Sequence, residues 1–161
     1  MISRVASNMS YSINDAQEYF VMGDFWPGNM MVVLEGEKLK NIYILDWELA
    51  KPGLPGVEIG QFCAEIHLLR RFDPFARAPA SRILETFCEA YTYYGAPDVQ
   101  VVRDALVHLG SHLIVLTPRI PWGDKASTRK VVQEGVQLLA GASSQDENWL
   151  RHSIVGGLMP R

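Results

Sequence analysis

Apolar positions along this chain follow two periods, and the change falls at the Pro- and Gly-rich stretch Lys51 to Gly56. Before it, Met30 to Leu34 is a continuous apolar run, Glu35-Gly36-Glu37-Lys38 a polar turn, and Ile42 to Leu45 a second run, a pattern that predicts a β-hairpin. The first strand is preceded by the turn-forming loop Gly23-Asp24-Phe25-Trp26-Pro27-Gly28-Asn29, and the second ends at Asp46-Trp47-Glu48. Both polar clusters are therefore expected at strand ends. After the break the spacing is helical. Ile59, Phe62, Ile66 and Leu69 form one stripe; Ile83, Phe87, Ala90, Tyr91 and Tyr94 form a second, closed by Gly95 and Pro97. Val99, Val102, Leu106, Leu109, Leu113 and Leu116 form a third, ended by Pro118 and Pro121. Further amphipathic segments cover about 125–140 and Trp149 to Leu158. The expected class is α+β, mainly helical: a hairpin followed by a bundle of helices. Residues 1–19 are polar and mixed and read as a remnant or linker; 20–161 form the domain.

Composition narrows the partners. The 161 residues are 48% hydrophobic and 20% charged, ordinary for one globular domain. A formal net charge of −3 with scattered Lys and Arg gives no basic surface for nucleic acid or anionic membrane. The N-terminus has no signal-peptide pattern and no run is expected to reach transmembrane length, so a cytoplasmic location is expected. Cys63 and Cys88, without CxxC spacing, read as buried free thiols.

Phosphoryl transfer asks a protein for an oriented acceptor hydroxyl and for oxygen ligands that hold metal against the phosphates. Asp24 and Asn29 have the five-residue spacing that such a loop uses, and Asp46 closes the next strand. The hairpin returns the chain, so Asp46 and Asn29 are expected to be close. Any one of these residues is an ordinary turn former; the constellation carries the reading.

At these residues the chain resembles a known family. Met22-Gly23-Asp24-Phe25-Trp26-Pro27-Gly28-Asn29 is similar to the HGDxHxxN catalytic loop of aminoglycoside phosphotransferases and choline kinases, and Ile44-Leu45-Asp46-Trp47-Glu48 to their I-D-W-E metal motif. Gly53-Leu54-Pro55-Gly56-Val57-Glu58-Ile59-Gly60 resembles their G-D-P-x-x-D-L-A segment. The resemblance implies the C-terminal lobe of a protein-kinase-like fold, with ATP and Mg²⁺ as cofactors and a small-molecule hydroxyl as acceptor. It implies Asp24 as catalytic base, Asn29 and Asp46 as magnesium ligands, Glu48 as a secondary metal ligand, and Met31 and Leu45 as the floor of the adenine pocket.

The chain departs from the pattern at Met22, where the family has His; at Trp26, often His; and at Glu58, where the family has Asp. No Gly-rich loop or strand Lys precedes residue 20, so the expectation is a lobe whose N-terminal partner is missing or separately encoded. The rival expectation is a catalytically inactive lobe that binds a ligand or a protein. Trp26 and Trp47 read as packing residues, His108 and His112 as structural or solvent-facing, and Arg70 and Arg71, which could reach a phosphate, as helix-ending cations first. Trp122 reads either as a loop anchor or as a cover over an acceptor pocket. The mixed charges around Glu65 to Glu89 select no acceptor.

Overall fold

A computed structural model describes residues 19–95 and 97–160; the expected remnant lies outside them except for Tyr19. The fold is mixed α and β, mainly helical, with a small hairpin followed by helices. The strands are β1 (Tyr19–Val21), β2 (Met30–Glu35), β3 (Lys38–Ile44) and β4 (Lys51–Gly53). The helices are α1 (Pro55–Phe72), α2 (Arg77–Gly95), α3 (Val99–Leu116), α4 (Lys125–Ser144) and the short α5 (Glu147–Arg151).

β2 and β3 pair antiparallel from Met30↔Ile44 to Glu35↔Lys38, with a bulge between Val33 and Leu34. Gly36, at φ +62, supplies the turn. The second strand starts at Lys38 rather than Ile42, because Lys38, Lys40 and Asn41 lie on solvent-exposed ladder and hydropathy does not mark them. β1 and β4 form a second ladder, Tyr19↔Gly53 to Val21↔Lys51, which the sequence pattern did not reveal. Three residues with a Pro and a Gly are too few for a period. This ladder matters because it ties the chain entering the Asp24 loop to the chain leaving Asp46.

α3 is the central helix, packed between α1 and α4. The middle of its expected stripe turns inward, with Val102, Leu106, Leu109 and Leu113 fully buried and the end members Val99 and Leu116 half-buried. Glycines let the backbones approach: a Cβ on Gly60 would lie 2.5 Å from the Ala105 carbonyl oxygen, and one on Gly110 2.7 Å from that of Gly135. Asp98 caps α3 by accepting from the Val101 N–H at 2.9 Å. Contrary to expectation, the stretch Val99–Arg119 is long and apolar enough to cross a membrane by length and composition. A core helix buried against two neighbours passes that test for a different reason, since neighbours on two sides need apolar surface on two sides.

Two expectations are corrected. On α2 the buried residues are Ala80, Leu84 and Cys88, while Ile83, Ala90 and Tyr94 are exposed. α2 packs on α1 and on the C-terminal turn Gly156–Leu158, which selects a narrower stripe one position away. The expected helix from Trp149 to Leu158 is instead α5 followed by turns. The Ser153 hydroxyl bonds the Leu150 carbonyl at 2.7 Å, and Gly156 packs against the carbonyl of Arg151. Cys63 and Cys88 are free and buried, as expected; the hydrogen bond to Cys88 and burial push the Cys63 thiol up.

Candidate active site

The loop that carries Asp24 is held from behind by one face of α1. Gly23 takes φ +91, and a Cβ there would sit 2.4 Å from the Leu49 carbonyl oxygen, so no other residue fits without backbone movement. Its N–H donates to Glu58 Oε1 at 2.5 Å. The longer Glu side chain thus makes the backbone bond for which the resemblance uses Asp. One turn further along α1, Gln61 Nε2 donates to Asp24 Oδ1 at 2.6 Å. Next to it, Phe62 stacks on Phe25 with centroids 5.1 Å apart, and Phe87 closes the cluster at 4.5 Å from Phe62. Met22, in place of the family's His, is buried.

Asp24 and Asn29 meet directly. Asn29 Nδ2 donates to Asp24 Oδ2 at 3.1 Å and to the Asp24 carbonyl at 3.0 Å. Both residues are half-buried. The turn Pro27–Asn29 is closed by Asn29 N–H to the Trp26 carbonyl at 3.0 Å. Trp26 lies over Gly28, whose Cβ would fall 2.3 Å from the indole. That fits a packing role.

The hairpin brings the second motif alongside. The Leu45 N–H donates to the Asn29 carbonyl at 2.8 Å, so Asp46 follows the residue paired with Asn29. Asp46 adopts φ 64, ψ 58 and is the one non-glycine residue with positive φ among the described residues. Such a conformation in a side-chain-bearing residue is uncommon and tends to occur where position matters more than strain. Neither Asp46 nor Glu48 has a hydrogen bond or ion pair among the described residues. Glu48 is exposed on the turn Trp47–Leu49. Trp47 braces this end, its Nε1 donating to the Ile44 carbonyl at 2.8 Å and its ring stacked on Phe20.

Met31 and Tyr43 are paired across the ladder and Leu45 is two residues beyond Tyr43, so the three share one face of the hairpin. Met31 is 47% and Leu45 43% exposed. An open apolar patch therefore adjoins the motif residues.

Among the described residues no group of three or more His, Cys, Asp or Glu is arranged to hold a metal. The donors the loops present are oxygens: the Asp46 carboxylate and the Asn29 side-chain carbonyl, left over when its amide nitrogen turns to Asp24. That set suits a hard cation such as Mg²⁺, which takes one or two protein carboxylates and completes its shell with water and phosphate. His108 and His112 are structural. His112 is buried with Nε2 2.8 Å from Glu65 Oε1, and burial, with the neighbouring His112, pushes His108 down to about 4.

Gln61 was not singled out by the sequence. Its signal was present in the three-residue step from Glu58, which puts both side chains on the same helix face. What sequence could not supply was which loop that face meets.

The chain belongs to the phosphotransferase enzyme family, whose profile matches residues 6–105, 100 of the 161. It is similar to the 4-hydroxytryptamine kinase of Psilocybe cubensis, 25% identical over 151 residues covering 92% of this chain and 41% of that protein. It is likewise similar to the 4-hydroxytryptamine kinase of Psilocybe cyanescens, 24% identical over 146 residues covering 89% of this chain and 40% of that protein. The chain spans about two fifths of the length of these curated relatives.

Proposed function

We propose that this chain forms the catalytic-loop lobe of an ATP- and Mg²⁺-dependent phosphotransferase acting on a hydroxyl of a small molecule. The observation that carries the proposal is the Asp24 carboxylate, fixed at both oxygens by Gln61 and Asn29 in a loop whose backbone is clamped by Glu58. Asp24 is the base: held in one orientation, it accepts the acceptor's proton as the oxygen attacks the transferring phosphoryl group. Asn29 and Asp46 are the residues that would hold Mg²⁺, with Glu48 beside them. When bound, the ion neutralises charge on the phosphates. Met31 and Leu45 give the adenine ring an apolar floor.

The opposite wall of the nucleotide cleft comes, in this proposal, from a second lobe carried by other sequence in cis or in trans. The half-exposed face of Met31, Tyr43 and Leu45 supports it, since apolar surface of that kind usually has an occupant. The acceptor class follows from the family, and the relatives' names suggest 4-hydroxytryptamine as one member of a screening panel. The test is transfer of the γ-phosphoryl of ATP to a panel of hydroxylated small molecules, comparing the protein with Asp24→Asn. Loss of about 10²-fold or more in transfer with Mg-ATP affinity kept is expected. Undiminished transfer by the variant would remove Asp24 from the role.

A further inference from the structure

A cavity of about 970 Å³, lined by charged and apolar side chains, opens where the C-terminal end of α1 meets α2, α4 and α5. Arg70 lies nine residues beyond Gln61 on α1, about 14 Å further along the helix axis, so this cavity is separate from the Asp24 loop. Its charges are arranged unequally. Arg71 Nη2 pairs with Glu134 Oε1 at 2.7 Å, and the buried His67 has Nε2 3.0 Å from Glu134 Oε2. Arg70 Nη2 lies 2.7 Å from His67 Nδ1. A guanidinium can only donate, so Nδ1 accepts and the ring proton sits on Nε2, donated to Glu134. His67 is therefore neutral, in keeping with the downward push of burial on its pKa.

This order saturates Glu134 and leaves Arg70 facing an uncharged ring. Glu134 and Glu85 reach the Arg70 guanidinium only through space, and burial pulls it below its usual value. Arg77, across the cavity on α2, has no side-chain partner among the described residues. Counting Arg and Glu, three cations face one anion around the space, a surplus that a dianion would offset. Trp149, packed on Gly141, adds an apolar wall.

We propose that this cavity is a binding site for a small phosphate-bearing anion, either free phosphate or a phosphate monoester whose organic part lies along Trp149. Two under-neutralised guanidinium forks match the oxygens of a tetrahedral phosphate, to which Arg can bond bidentately. The volume exceeds what phosphate alone fills and lies in the usual range for small-molecule sites.

Calorimetric titration at constant ionic strength tests it, with inorganic phosphate, phenyl phosphate and the neutral benzyl alcohol as probes. Saturable one-to-one binding of the phosphate probes is expected, with none of benzyl alcohol. Arg70→Gln and Arg77→Gln should each weaken it about tenfold or more, as loss of a charge-assisted contact does. Arg77 is exposed and unpaired, so its variant keeps the fold, which a melting curve checks. Tighter binding of phenyl phosphate would identify the monoester as the ligand source, and equal binding free phosphate. No saturable binding of either phosphate probe, or unchanged affinity in both variants, would overturn the proposal.

Discussion

Gln61→Ala removes one of the two side chains that hold the Asp24 carboxylate and leaves the other in place. The lost bond is short, 2.6 Å, and its acceptor is the carboxylate proposed as base. A hydrogen bond to a charged group contributes about 1.5–3 kcal/mol, and the half-buried position of both partners discounts that to about 1–2 kcal/mol. The kinetic consequence is larger than the loss in stability suggests. With Asn29 alone, the carboxylate turns about its own side-chain bonds, and a misplacement of about 1 Å in a reacting group costs on the order of 10²-fold. The expectation is a fall in kcat of about 10- to 100-fold with the KM for ATP little changed, because the Gln61 amide bonds Asp24 and neither Asn29 nor Asp46, the residues proposed to hold Mg²⁺. Gln61→Glu is the sharper variant. It sets two carboxylates where an amide and a carboxylate stood, and should lose more activity than the alanine. Urea unfolding measures the stability change and steady-state transfer the rest. If Gln61→Ala loses stability as expected but keeps the parent kcat, the side chain is structural and the positioning argument fails.

Three further perturbations probe the same framework. Asp46→Gly accepts the φ of 64 without strain, so it should keep the fold while abolishing the Mg²⁺-dependent part of nucleotide binding; equal Mg-ATP binding by calorimetry would refute the ligand role. Glu58→Ala leaves the Gly23 N–H unpaired and should destabilise by about 1–3 kcal/mol in urea, with Glu58→Asp intermediate; an unchanged midpoint for the alanine would show that the clamp contributes nothing. Folding stability should fall with acid in two stages. His108, held down to about 4 by burial, binds its proton more weakly folded than unfolded, so its contribution is full above 6.5 and is lost as pH falls towards 4. The loss amounts to about 3 kcal/mol at most. His67, also lowered, acts in the same direction. Glu134, lowered by its His67 hydrogen bond and by Arg71, adds a loss below 4.5. His108→Leu should flatten the first stage in melting curves taken from pH 7 to 4, and an unchanged slope would contradict the assignment.

The helical remainder and the strong stripes of α1 and α3 were legible because each buries one continuous face, which periodicity records; the hairpin was legible because two apolar runs flank a polar turn, although most of those side chains are exposed. α2 was read in part: Phe87 and Tyr91 of its expected stripe pack on the core, while the fully buried line runs through Ala80, Leu84 and Cys88. Ile83 and Tyr94 are apolar but exposed, and a pattern cannot distinguish an apolar residue that packs from one that does not. The β1–β4 ladder left no trace because its register is set by backbone pairing and not by side chains. At the site, Asp24, Asn29 and Asp46 could be named from their spacing at strand ends, and the structure puts Asp24 in contact with Asn29. The support behind them could not be read in the same way. Gln61 and Glu58 are ordinary polar residues of a helix whose facing loop is 35 or more residues away, and only the fold brings them together. His67 was hidden for the same reason: its partners stand on α1 and α4, 67 positions apart at the far pair.

The site's rigidity is therefore unevenly distributed, and this bears on how such a chain works. Glu58, Gln61 and Phe62 present, within little more than one turn of α1, a clamp on the loop backbone, a restraint on the Asp24 carboxylate and an aromatic stack under Phe25. α1 is in turn packed against α3 at a distance only glycine allows, so Asp24, the proposed base, is referenced to the centre of the core. The hairpin has no comparable support. Apart from Met30, packed on the core, and the half-buried Val33 and Ile44, its large apolar side chains Met31, Val32, Leu34, Leu39, Ile42 and Tyr43 are exposed. A substitution on α1 should thus alter chemistry without altering nucleotide affinity, whereas one on the open hairpin face should alter affinity and association with whatever covers it. That division follows from burial alone. Under the proposed function, Asp24 would be fixed before an acceptor arrives, and the floor formed by Met31 and Leu45 would be enclosed only once a second wall is in place.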